Sequence, residues 1–322
     1  MPDTSPLHIL VTGAHGLIGR ALCDTLTVAG FEVLPAVRNS FDKSSIAVGD
    51  ISGVTDWTGV LSSRVDAVVH LAAKVHDMNA EDSVSRARYY EVNTEGTLNL
   101  ARQCAEQGVR RFVFLSTVKV MGEGKSGVYS LDDDPAPQGA YAESKWLAEQ
   151  ELADIASQTG MEIVVIRPPL VYGPQVRANF MSLMKLIDKG LPLPFGAIQN
   201  TRSLIYIGNL IDAITACVQH PSAVGKTFFV SDGEDVSTPE LARKIASALG
   251  KKARLLSVPV SLMQVAGLVM GKKSAVDRVA GSFAIDRSLI RNELGWEPPY
   301  SMQYGLDMTA RWFLDAKKSG AM

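Results

Sequence analysis

Tyr141 and Lys145 stand four residues apart in the run Tyr141-Ala142-Glu143-Ser144-Lys145. On a helix that spacing puts both side chains on one face, one turn apart. A phenol with an ordinary pKa near ~10 is a poor base at neutral pH, but an adjacent ammonium favours its anion. The pair therefore suits proton transfer at a substrate oxygen, with Tyr141 as acid/base and Lys145 as its modulator; both are also counted as cofactor contacts, Lys145 to a nicotinamide ribose. The same spacing also occurs on exposed helices that do no chemistry, so position decides its meaning. Ser116-Thr117 closes the apolar run that starts at Arg111. At the carboxyl end of such a strand Thr117 could hold the oxygen that Tyr141 protonates or deprotonates. Asn93, within Val92-Asn93-Thr94-Glu95-Gly96-Thr97, is a candidate brace for this site or a contact to a cofactor ribose. A helix-interior asparagine bonded to nearby backbone is the plainer alternative.

A second constellation is Thr12-Gly13-Ala14-His15-Gly16-Leu17-Ile18-Gly19, which follows a strand pattern and opens a helix. Gly13 permits a tight turn, Gly16 lets backbone approach a pyrophosphate, and Gly19 lets helix and strand pack closely. The helix start then offers N–H groups and a positive dipole end to a diphosphate. His15, Leu17 and Ile18 are counted with the glycines as cofactor contacts, although His15 reads equally as a plain loop residue. The second strand ends Val37-Arg38-Asn39-Ser40, where an NAD site usually presents an acid to the ribose 2′-hydroxyl. Arg38 would instead pair with a 2′-phosphate, and Arg20 could join it, so NADP(H) is favoured over NAD(H). A solvated strand-end charge is the simpler reading of Arg38. Asp50-Ile51 is a candidate contact to an adenine edge, with a turn as the alternative for Asp50.

The elements that must position these residues alternate between apolar runs and helical patterns. Strands are expected at 8–12, 33–37, 45–48, 67–71, 111–116 and 163–166, and helices at 16–29, 83–106 and 141–157. Continuous apolar strands separated by helices predict an α/β fold with a doubly wound, Rossmann-type parallel sheet. Residues 1–168 are read as a dinucleotide-binding domain. Residues 169–322 are read as mainly a smaller mixed α/β substrate lobe, with some return of chain to the sheet. The chain has 322 residues, 46% hydrophobic and 20% charged, and a formal net charge of −2. Nothing in that balance attracts nucleic acid or anionic lipid in general. Cys23, Cys104 and Cys217 are too dispersed for a metal site or a disulfide framework. The polar start predicts no signal peptide, and the Met-rich stretch 262–270 is too short to span a bilayer. A cytoplasmic protein without stable membrane insertion is the expectation; the Met-rich segment 260–270 is read as a packed helix, with contact to a membrane-bound partner as a minor alternative.

Taken together, the glycine loop, His70-Leu71-Ala72-Ala73, Asn93-x-x-Gly96-Thr97, Ser116-Thr117, the Tyr141/Lys145 pair and Arg167-Pro168-Pro169-Leu170-Val171-Tyr172-Gly173-Pro174 occur in order. This series resembles the extended short-chain dehydrogenases of the NAD-dependent epimerase/dehydratase family over almost the whole chain. The resemblance implies cofactor contacts at Leu71, Ala72, Ala73 and Pro168, and a UDP-sugar held by Asn179, Leu193, Phe195, Arg202 and Arg278. It also implies a homodimer formed through helices 83–106 and 141–157. Within the family the chain is most similar to bacterial enzymes acting at carbon 4 of UDP-sugars in surface-polysaccharide synthesis. These are UDP-4-keto-6-deoxy-hexosamine reductases and UDP-glucose or UDP-N-acetylglucosamine 4-epimerases. Met121 and Lys119 depart from the epimerase pattern, and with Arg38 they tilt the expectation toward the NADPH-dependent reductase. The NAD-retaining epimerase is the alternative. Met121 is read as packing, and Lys119 as solvent-exposed or near the substrate.

Overall fold

The computed structural model describes residues 6–40, 44–75, 83–125, 127–271 and 273–320. The Val-, Ile- and Phe-rich runs form β1 (His8–Thr12), β2 (Glu32–Val37), a two-residue β3 (Ile46–Ala47), β4 (Ala67–His70) and β5 (Arg111–Leu115). After them come β6 (Val128–Tyr129), β7 (Glu162–Arg167), β8 (Leu170–Tyr172), β9 (Leu204–Tyr206), β10 (Thr227–Phe229) and β11 (Ala284–Ile285). Seven of these make one sheet in the order β10-β7-β5-β4-β1-β2-β3, parallel at every pairing. The central strands alternate their side chains between two faces. Ile9, Val11, Val69, Val113, Val164 and Ile166 enter one core, whereas Leu10, Val68, Phe112, Phe114, Ile163 and Val165 enter the other. Both faces are covered, which is why the strands read as unbroken apolar runs.

Helices α1 (Leu17–Val28), α2 (Thr58–Leu61), α3 (Ser83–Tyr90), α4 (Gly96–Glu106) and α5 (Ala140–Thr159) belong to the first half. The helix expected over residues 83–106 is divided by a π-helical turn, Glu91–Glu95, which carries Asn93. The second half adds α6 (Ala178–Asp188), α7 (Ile207–Gln219), α8 (Thr238–Ala248), α9 (Val260–Val269), α10 (Lys273–Ala280), α11 (Ser288–Leu294) and α12 (Met302–Lys318). The second half is interleaved with the sheet: β10 adds the strand beside β7, and α7 packs against α1. Two small parallel pairings, β8 with β9 and β6 with β11, lie outside the main sheet.

Arg111 ties the halves together. Its guanidinium is 2% exposed and pairs with Glu162 of β7 at 2.7 Å. It also donates to the carbonyls of Cys217, Val218 and His220 at the end of α7, at 3.0, 2.7 and 3.0 Å. Carbonyls at a helix C-terminus lack intrahelical donors, and a buried cation satisfies them. Replacing Arg111 by Met leaves these acceptors and a carboxylate unpaired, which should cost roughly 3 kcal/mol or more. A lower urea-unfolding midpoint checks this, and an unchanged midpoint would refute the role.

Candidate active site

The strand order reverses between β1 and β4, and the carboxyl ends of those strands frame a crevice of the kind that receives ligands in open α/β sheets. Gly13 lies there at φ +69°, and a Cβ on it would come within 2.8 Å of the Ala72 nitrogen. A Cβ on Gly19 would sit 2.3 Å from the Gly13 carbonyl oxygen. Side chains are thus excluded from this turn, and bare backbone faces the crevice. Gly16 precedes α1 and no side chain caps that helix start, so its N–H groups are placed for an anionic group. His15 is exposed, whereas Leu17, Ile18 and the strip Leu71-Ala72-Ala73 are half-buried. This loop fits the diphosphate of a dinucleotide.

At the end of β2, Arg38 does not stand free. Its Nε lies 2.6 Å from Asp50 Oδ1, and both side chains are largely exposed. A carboxylate that would repel a 2′-phosphate dianion thus occupies the position of Arg38's partner. Arg20 is exposed on α1. Ile51 is half-buried and lies where a Cβ on Gly96 would fall, 2.6 Å from its Cγ2, so α4 approaches this loop closely.

α5 begins after Gly139, at φ +83°, and ends in the left-handed Gly160. Its inward face carries Tyr141, Lys145 and Glu149 at successive turns. Burial pushes the Tyr141 pKa up to about 12, and the nearby Thr117 hydroxyl partly offsets that. Lys145 is 1% exposed; its Nζ donates to the Leu115 carbonyl at 2.8 Å and lies 4.2 Å from the Phe114 ring centroid. Burial brings its pKa down to about 7, and the Glu149 carboxylate partly offsets that. Glu149 accepts hydrogen bonds from Ser116 Oγ and from Arg167, whose Nη2 is 2.5 Å away. One buried carboxylate is therefore shared by two buried cations. A phenolate at Tyr141 would supply the negative charge that this group lacks. The arrangement can hold and move one proton at the Tyr141 oxygen.

Asn93 has both ends of its amide engaged. Oδ1 accepts from the Lys74 N–H at 2.8 Å, and Nδ2 donates to the Lys74 carbonyl and to Ser144 Oγ, each at 3.1 Å. It braces the β4 loop against α5. Pro168 is buried, and its carbonyl accepts from the Val118 N–H at 3.1 Å. Met121 is packing, with its sulfur 3.2 Å from Arg167 Nη1, and Lys119 is solvent-exposed.

The residues expected around the UDP group separate into two sets. Arg202 and Arg278 line one cavity of about 350 Å³, together with Glu123, Val260, Gln264 and Phe283. Arg202 Nη1 donates to the carbonyls of Arg278 and Gly281. Asn179 is exposed on the first turn of α6 and is not part of that wall. Phe195 is half-buried against the core, also outside the wall. The expected side-chain approach of Leu193 to uracil is corrected: that side chain is 3% exposed in the core, its N–H donates to the Arg254 carbonyl and its carbonyl accepts from the Leu256 N–H.

The sequence profile of the NAD dependent epimerase/dehydratase family matches residues 9–231. The chain belongs to that family. It is an enzyme of a nicotinamide-dependent family. A UDP-glucose 4-epimerase of Vibrio cholerae is 44% identical over 318 residues, covering 97% of each chain. An N-acetyl-alpha-D-glucosaminyl-diphospho-ditrans,octacis-undecaprenol 4-epimerase of Escherichia coli O157:H7 is 28% identical, again over 97% of each. The crystal structure of UDP-glucuronic acid 4-epimerase from Bacillus cereus, in complex with NAD, superposes with a TM-score of 0.78 at 24% identity. That match covers 97% of this chain and 98% of the other, and it speaks to the fold.

Two members of this epimerase/dehydratase site escape motif reading. Glu149 follows Lys145 by one turn, and that spacing was the available signal. His70 stands within His70-Leu71-Ala72-Ala73, but that run does not disclose its role, because its partners come from β1 and α4. Its ring is fully buried, with Nδ1 2.7 Å from Thr12 Oγ1 and Nε2 3.0 Å from Thr97 Oγ1. Thr97 donates its own proton to the Asn93 carbonyl, so His70 Nε2 donates to Thr97 and Nδ1 accepts from Thr12. Burial, reinforced by the Lys145 charge, lowers the His70 pKa to about 3. Between that value and ~6.5 only the unfolded chain binds the proton, so this group's contribution to stability is lost as pH falls through the window. His70→Asn should show a shallower loss of stability between those limits than the wild type, measured by urea unfolding against pH. Equal slopes would mean that the ring is already charged in the fold.

Proposed function

We propose that the protein is a UDP-sugar 4-epimerase that retains NAD and inverts carbon 4 through a transient 4-ketone. The 44% identity to the Vibrio cholerae UDP-glucose 4-epimerase across 97% of both chains carries this reading. The Tyr141–Thr117–Lys145 group supplies chemistry of the right kind. The glycine loop of residues 13–19 would hold the cofactor diphosphate, Asp50 and Ile51 its adenosine side, and Leu71 to Ala73 and Pro168 its approach to the catalytic helix. Bound nicotinamide supplies the acceptor, and then the donor, of the carbon-4 hydride.

Tyr141, as phenolate, takes the proton from the carbon-4 hydroxyl as that carbon loses hydride, and returns it when hydride adds to the opposite face. Thr117 orients the oxygen. Lys145 supplies the positive charge that holds the phenolate, and the Leu115 carbonyl and Glu149 keep its ammonium in place. Arg202 and Arg278 are the cations best placed to meet the sugar's diphosphate, with Asn179 and Phe195 further out along the same ligand. A cytoplasmic homodimer paired through α3, α4 and α5 completes the reading.

One observation favours a second reaction. No acid follows β2, and Arg38 stands in its place, as expected of an enzyme that consumes NADPH to reduce a 4-keto UDP-sugar once. The Arg38–Asp50 pair weakens that case, so the epimerase is the preferred assignment.

The two reactions are told apart by isotope and cofactor. Purified protein should interconvert UDP-glucose and UDP-galactose, or their N-acetyl counterparts, with no added cofactor. It should keep deuterium placed at carbon 4 and release NAD on denaturation. Tyr141→Phe should retain NAD while its kcat falls by roughly 10²–10⁴-fold. Failure to interconvert any of these sugars, with stoichiometric NADPH oxidation on a 4-keto UDP-sugar, would establish the reductase.

A further inference from the structure

α9 is almost wholly apolar, Val-Ser-Leu-Met-Gln-Val-Ala-Gly-Leu-Val, yet only Met263 and Gly267 are buried. Leu262, Val265, Leu268 and Val269, with Met270 just beyond, are 59% to 83% exposed. Its inner side packs on α10, where Gln264 meets Asp277. Five large aliphatic side chains clustered on one short helical segment form an exposed patch that water disfavours, and such patches mark contact surfaces. No helix among the described residues is long and apolar enough to cross a membrane.

Charge selects the occupant. Residues 251–278 contain Lys251, Lys252, Arg254, Lys272, Lys273 and Arg278 against the single acid Asp277, in a chain of net charge −2. Lys251 is engaged by Asp188, but Lys252, Arg254 and Lys273 are exposed and form no ion pair among the described residues. Lys272 lies outside the described residues. A second copy of the chain would meet this face with the same excess of positive charge, because a twofold interface pairs a patch with itself. An aliphatic ridge without aromatic residues, with Lys273 exposed at the start of the helix packed beside it and an excess of lysine and arginine in the adjoining chain, matches a helix lying in the surface of an anionic bilayer.

We propose that α9 is a membrane-surface helix that docks the enzyme on anionic lipid. Val260 and Gln264 of the same helix line the cavity that holds Arg202 and Arg278, so docking places that cavity at the lipid surface. The proposal concerns where the enzyme works and does not depend on which carbon-4 reaction it performs.

The test is flotation of the full chain with vesicles of phosphatidylcholine alone, or of phosphatidylcholine mixed with phosphatidylglycerol. Wild type should float with the anionic vesicles and much less with the neutral ones, and added salt should weaken the binding. Leu268→Ser/Val269→Ser should reduce the partition coefficient about tenfold or more. Lys273→Glu should reduce it severalfold. All these positions are exposed, so thermal unfolding and turnover of soluble UDP-sugar should match wild type in both variants. No binding to anionic vesicles would overturn the proposal. So would undiminished binding by the serine variant, or a serine variant that changes only the oligomeric state.

Discussion

The structure depends on keeping a lysine ammonium inside the protein. Lys145 lies beneath the carboxyl edge of the sheet with one hydrogen bond, to the Leu115 carbonyl, and an aromatic face, Phe114, beside it. Desolvation disfavours the charge, so a compensating carboxylate has to be near. Glu149 is that group, one turn further along α5. It is fixed by Arg167 from the end of β7 and by Ser116 from the end of β5. Helix and strands are thereby registered against each other at the place where Thr117 and Tyr141 meet. Burial favours the protonated phenol at Tyr141, and the Thr117 hydroxyl beside it pulls in the opposite direction.

The same logic of buried polar groups with fixed partners runs outward from the site. His70 links β1 to α4 through two threonines, and Asn93, on its π-helical turn, links the β4 loop to α5 through Ser144. Arg111 does at the opposite end of β5 what Glu149 does near its carboxyl end, joining the sheet to a helix from the second half. Each interaction crosses between elements distant in sequence. Together they make the crevice a property of the whole chain, because a ligand across the β1/β4 switch touches loops that these residues hold in register.

Much of this was legible in the sequence. The parallel sheet followed from apolar runs between helices, and the glycine turn and the Tyr141/Lys145 face followed from spacing that only close backbone approach and one helical turn explain. What escaped reading were pairings set by tertiary contact. The acid beside Arg38 is twelve residues away and meets it only because β2 and the loop after β3 lie side by side. Leu193 reads as a loop residue in a proline-rich stretch, but the chain bridges to Leu255 and turns that side chain into the core. β10 is three residues long, too short to announce itself, yet it extends the main sheet. The length of α9's apolar face was visible at once, but its exposure depends on α10 covering only the other side.

Burial should bring the titration of Lys145 down to near neutrality, and this can be measured directly. Lysine 13Cε chemical shifts, with Lys145 assigned through Lys145→Met, can be followed against pH in the folded protein. A midpoint near pH 7 is expected, far below the ordinary value of about 10.4. A midpoint at or above the ordinary lysine value would contradict the claim that desolvation sets the charge at this site.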